Sequence, residues 1–169
     1  SVPYFGLLTD EGRKADWIVE VKTSRKPEAQ LLGSAIGMKV MEKVPYVIGL
    51  DKYFSSLDDD AKAYLKDFGA ATASNGAVGL YHIENLTPEA VDLGRALIKE
   101  NAPTYVIDDE ELDRIEKGYP IIWKDKDATP KLAFIGCPHL SRAQLSSWSK
   151  RIHESLNAKG KDKVSIKTI

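Results

Sequence analysis

The chain has 169 residues, 43% hydrophobic and 29% charged, with 24 basic side chains against 25 acidic ones and a net charge of −1. Such a composition is that of an ordinary soluble domain, with no basic excess for nucleic acid and no apolar run of about 18 residues for a membrane span. Its single cysteine excludes an internal disulfide framework and fits a reducing, cytoplasmic compartment. The start, Ser1-Val2-Pro3-Tyr4-Phe5-Gly6-Leu7-Leu8, carries no charged-then-apolar leader and reads like the middle of a structure. The end, Val164-Ser165-Ile166-Lys167-Thr168-Ile169, alternates like a strand. Both ends read as those of a fragment excised from a longer chain, folded as one domain over 1–169.

Strands and helices alternate along the chain. Trp17-Ile18-Val19-Glu20-Val21 is a short β-rich run. Pro27 opens a helix to about Lys43, with Leu31, Leu32, Ala35, Ile36 and Val40 at helical spacing. Residues 45–50, P-Y-V-I-G-L, form a buried strand. Asp58, Asp59 and Asp60 start the next helix, where carboxylates meet the positive end of the dipole, and Asn75-Gly76 ends it. Residues 77–83 are the third strand, and Thr87-Pro88 opens a helix to about Glu100.

Thr104-Tyr105-Val106-Ile107 is the fourth strand, and Asp108 caps a short acidic helix ending at Gly118. Ile121-Ile122-Trp123 reads as an extra strand or an edge hairpin, followed by a polar loop from Lys124 to Pro130. Lys131 to Ile135 is a further strand. Ser141 and Gln144 fit a capping box ahead of a helix with Leu145, Trp148, Ile152 and Leu156 on one face, closed by Gly160. Short apolar strands between helices predict an α/β three-layer sandwich, its mostly parallel sheet covered by helices on both faces.

In such a sheet the strand-to-helix loops gather at one edge, where ligands bind. Three of them carry chemistry. Lys22, Thr23, Ser24 and Arg25 form a basic, hydroxyl-rich loop before a helix, suited to a phosphate or carboxylate, although a solvated turn has the same composition. His82 ends a strand and is a candidate acid/base group, although a strand histidine is more often a hydrogen-bonded structural residue. The third loop, Gly136-Cys137-Pro138-His139, holds the thiol between glycine and proline just before a helix N-terminus, where thiol pKa values fall. His139 is the second candidate imidazole, but neighbours this close in sequence rarely orient as a dyad. The chain has no Walker A, G-x-G-x-x-G, H-E-x-x-H or C-x-x-C motif.

Three stretches carry a family resemblance: I-G-C-P-H-L-S at 135–141, A-S-N-G-A-V-G-L-Y-H-I-E-N-L-T-P-E-A at 73–90, and L-L-G-S-A-I-G at 31–37. They resemble the large subunit of the aconitase X family, in the family's order and over nearly the whole chain. The resemblance implies a hydro-lyase with an iron–sulfur cluster held by three large-subunit cysteines, working with a small subunit on a hydroxy-acid substrate. Implied activities are dehydration of (R)-5-phosphomevalonate to anhydromevalonate phosphate, as in archaea, and of cis-3-hydroxyproline. Cys137 carries over as one cluster ligand. The other two cysteines are absent from this sequence, so the resemblance places them in the rest of the large subunit. No cluster and no activity are then expected of this chain alone. The basic loop at 22–26 and the stretch 16–50 favour the phosphorylated substrate.

Two other readings remain open: a stand-alone α/β module binding a small anion, and an enzyme with Cys137 as nucleophile.

Overall fold

The computed structural model describes residues 6–120, 122, 124–125 and 127–169. Ile121 and Trp123 of the expected strand or hairpin at 121–123 lie outside the described residues. Where one domain over 1–169 is expected, the chain falls into two compact units, Ser1–Tyr119 and Pro120–Ile169.

The first unit holds four parallel strands: β1 (Trp17–Val21), β2 (Pro45–Ile48), β3 (His82–Ile83) and β4 (Thr104–Ile107), in the spatial order β3-β2-β1-β4. The register runs Ile18 to Tyr46 and Tyr46 to His82 on one side, and Ile18 to Thr104 on the other. Four helices connect and flank them: α1 (Ala29–Val40), α2 (Asp59–Gly76), α3 (Pro88–Leu93) and α4 (Asp109–Gly118). The expected parallel α/β architecture is present.

Side-chain alternation splits the core into two. Val19, Val21, Val47, Ile83 and Ile107 pack with Leu32, Ile36, Leu65, Phe68, Leu112 and Ile115, so α1, α2 and α4 share one face. Tyr46 packs with Ala15, Val44, Ala90 and Leu97, which puts α3 on the other. This is what right-handed crossovers require: β1 to β2 to β3 step one way over one face, and β3 to β4 steps back over the other.

The helix boundaries follow from local chemistry. The Asp58 carboxylate accepts from Ala61 N at 2.8 Å and starts α2; Asp108 does the same for Glu111 N at 2.9 Å and starts α4. α1 begins two residues after Pro27, with Glu28 in extended conformation, and stops at Met41 with φ 55. Two elements are shorter than expected. Only His82–Ile83 of the stretch 77–83 is strand, because the register sets Tyr81 opposite Pro45, which has no N–H for the ladder. The helix expected to reach Glu100 breaks after Leu93, where Gly94 turns with φ 54 into a 3-10 turn, Gly94–Leu97. Ala15 N then donates to Leu97 O (2.7 Å) and Lys99 N to Ala15 O (3.0 Å), pulling the chain out of the helix.

The second unit has β5 (Leu132–Ala133), α5 (Arg142–Ala158) and β6 (Lys167–Thr168). β5 and β6 pair in parallel, shorter than the runs read from sequence. The Ser141–Gln144 capping box is present in full. None of this unit's described residues is buried. Among the described residues no helix is long and apolar enough to cross a membrane.

Candidate functional site

The chain order reverses between β1 and β4: two crossovers leave β1 on one side, and the chain returns to add β4 on the other. At such a switch point the loops after the two strands diverge and leave a crevice at their carboxyl ends. A crevice of about 680 Å³ opens there, between the loop that follows β1 and helix α4, which follows β4. Its walls include Ser24, Arg25 and Lys26 from the first and Asp109, Asp113 and Glu116 from the second.

The basic loop read from sequence is therefore at the crevice, but its four residues are in four different situations. Lys22 Nζ is 2.6 Å from Glu20 Oε2, so its charge is paired. Thr23 is buried, and its carbonyl accepts from Tyr53 Oη (2.8 Å) and Lys52 Nζ (3.2 Å). Tyr53 has one proton and gives it to that carbonyl, so the Thr23 hydroxyl donates back to Tyr53 Oη at 3.0 Å. Ser24 N donates to both carboxylate oxygens of Asp109, at 3.1 and 3.3 Å. Arg25 is exposed and makes no hydrogen bond or ion pair among the described residues. The neighbouring Lys26 ammonium lies 4.0 Å from the Phe54 ring centre and 4.6 Å from that of Tyr64.

Asp109, Lys52 and Tyr53 were not legible as site residues, because Asp109 reaches Ser24 across 85 positions of sequence. The usable signal was topological: a helix starting directly after β4 puts its first carboxylates at the sheet edge, next to the loop after β1. The neighbouring loops interlock further. Asn85 Nδ2 donates to Asp51 Oδ2 at 2.8 Å, and Arg95 Nε to Glu84 Oε1 at 2.6 Å.

His82 is fully enclosed, and its Nε2 donates to the Arg13 carbonyl at 2.7 Å. Its Nδ1 and the Tyr46 hydroxyl are buried without a protein partner. The structure thus ties this histidine to the segment before β1 and not to the crevice.

In the second unit, Cys137 is exposed in the loop between β5 and α5, after Gly136 at φ 123. His139 is exposed two residues on. Among the described residues no three His, Cys, Asp or Glu side chains group to hold a metal ion. The Cys137 sulfur is thus open to solvent in a strand-to-helix loop.

Fold and crevice define a class: a parallel α/β protein with a cleft at its topological switch point. A family model described as the aconitase X second domain matches residues 15–117, most of the first unit. The phosphomevalonate dehydratase large subunit of Thermococcus kodakarensis is 34% identical over 163 residues, 95% of this chain and 37% of that protein. The cis-3-hydroxy-L-proline dehydratase of Hypocrea jecorina is 32% identical over 85% of this chain and 24% of its own length. The crystal structure of Thermococcus kodakaraensis aconitase X in its holo-form superposes with a TM-score of 0.70 at 31% identity, covering 99% of this chain and 39% of that one. The chain belongs to the aconitase X family. It spans little more than a third of the Thermococcus relative it matches.

Proposed function

We propose that this chain is part of the large subunit of an aconitase X-type hydro-lyase that dehydrates (R)-5-phosphomevalonate to anhydromevalonate phosphate. The observation that carries the reading is the 34% identity to a phosphomevalonate dehydratase large subunit across 95% of the chain. Dehydration removes a proton from one carbon and hydroxide from its neighbour, giving an alkene and water. An iron–sulfur cluster, when bound, supplies a Lewis acid for the departing hydroxyl.

The work of this chain's own residues is binding and ligation. The Lys22–Arg25 loop receives the anionic end of the substrate, with Arg25 as a guanidinium that has no ion pair among the described residues. Cys137 is one of three cluster ligands, the other two being supplied by the rest of the large subunit. Of the two imidazoles, exposed His139 is the candidate for proton transfer, while enclosed His82 is held on the Arg13 carbonyl. The family small subunit completes the enzyme, in the cytoplasm. A second reading, cis-3-hydroxyproline as substrate, is supported by the 32% identity to the Hypocrea enzyme.

The test is anaerobic co-expression of the full-length large subunit with its small subunit, with and without Cys137→Ser. The reading predicts iron and phosphomevalonate dehydration in the wild type and loss of both in the variant. Equal iron in the two would remove Cys137 from the cluster; turnover of hydroxyproline alone would favour the second reading.

A further inference from the structure

We propose, resting on the reading of this chain as part of a longer large subunit, that β5, α5 and β6 form a docking surface for that subunit's own chain: a stretch outside residues 1–169 adds a parallel strand beside them and a helix over Leu132 and Phe134. Three observations carry this. First, β5 and β6 are parallel and, among the described residues, pair only with each other. Their ladder runs on through Ile169 N, which donates to Ala133 O at 2.9 Å, and Ile135 N, which donates to Ile169 O at 2.7 Å. Second, parallel sheets are covered on both faces, and α5 covers one. Ala133 and Ile135 line cavities with Trp148 and Ile152 of that helix. By alternation Leu132 and Phe134 lie on the other face, and they are 51% and 67% exposed. Third, the apolar stripe of α5 reaches further than two short strands can cover. Leu145 stays exposed and, with Ile135 and Leu140, lines an apolar groove of about 330 Å³.

The parallel pairing argues for the same chain over a separate partner. A parallel neighbour is reached through a crossover within one chain, and successive elements lie side by side. The material for it exists in the family. The Thermococcus large subunit matches this chain over only 37% of its own length, and the second-domain model stops at residue 117, before this unit begins. The added strand turns apolar side chains toward Leu145 and Trp148. The covering helix turns its apolar face toward Leu132 and Phe134.

The test compares hydrogen exchange of the α5 amides in the 169-residue chain, in the full-length large subunit alone, and in the large subunit with its small subunit. In the large subunit alone these amides are expected to exchange roughly a hundredfold more slowly than in the 169-residue chain, the scale set by taking two large apolar side chains out of water. Phe134→Asp and Leu145→Asp are expected to abolish that gain in the large subunit while α1 and α2 stay protected. Equal α5 exchange in the two chains overturns the proposal. Protection that appears only with the small subunit gives the surface to that partner, and protection of the 169-residue chain that rises with its concentration gives it to a second copy; either result overturns it too. If the variants prevent the large subunit from folding, the wild-type comparison still decides. An assembled enzyme that protects α5 in its large subunit but does not dehydrate phosphomevalonate overturns the functional reading and leaves the docking surface standing. Dehydration with α5 unprotected does the reverse.

Discussion

A methyl group added at Gly76 would lie 2.0 Å from the Gly37 carbonyl oxygen and 2.8 Å from its Cα. Helix α1 here meets α2 backbone to backbone, and neither partner in that contact is a side chain that can rotate away. In an exposed helix, alanine for glycine gains about 1 kcal/mol. Here the overpacking cost of about 1–3 kcal/mol wins. Gly76→Ala is therefore expected to lower the urea midpoint by the equivalent of about 1 kcal/mol or more; an unchanged or higher midpoint would show that the helices separate at no cost. The sequence announced α1 through the spacing of Leu32, Ile36 and Val40, but not why Gly37 stands among them. That reason lies in α2, and no local pattern carries it. Ser24 is a similar case: its loop was legible, its partner Asp109 was not.

Capped helices were the most legible elements. Asp58, Asp108 and Ser141 each start one by taking a backbone N–H, a signal contained within four residues. β3 and α3 were read too long because their limits are tertiary: a proline across the ladder from Tyr81, and a backbone bridge from Ala15 to Ile98. The join between β4 and α4 has its own electrostatics. The Arg114 guanidinium, with the Tyr105 hydroxyl, pulls the Glu111 carboxyl down to about 2, from an ordinary value of 4.5. A depressed carboxyl adds stability that is present above its unfolded value and disappears as pH falls toward the folded one. Stability should therefore decline between about pH 5 and pH 2 in the wild type, and Glu111→Gln should flatten that decline. Parallel denaturation curves for the two proteins across that range would remove Glu111 from the acid response.

Across the whole molecule the two units differ in how much they bury. The first has Tyr46, Phe68, Leu32 and Ile36 at 0% exposure. In the second, Leu145 is 60% exposed and Trp148 39%. A helix of 17 residues with no buried side chain gains little from tertiary packing. Amides of α5 are therefore expected to exchange with deuterium well before those of α1 and α2. Equal protection in an exchange experiment would mean that the Leu145–Trp148 face is covered in solution. The alternation of strands and helices was legible throughout, because it is written in local periodicity. The division at Tyr119 was not, because it depends on which apolar faces find partners.

The position of β1 between β2 and β4 also has a consequence for how the protein is made. β1 gains β2 from the next connection along the chain, but its other edge waits for Thr104 to Ile107. During synthesis the first three strands and their helices are available long before β4 leaves the ribosome, and loop closure over that distance is slow. Until then Val19 and Val21 have no neighbour on that side, and the crevice has one wall. The crevice is therefore the last part of the first unit to come into being. A chain stopped before residue 104 would keep Lys22 to Arg25 and have nothing for them to face.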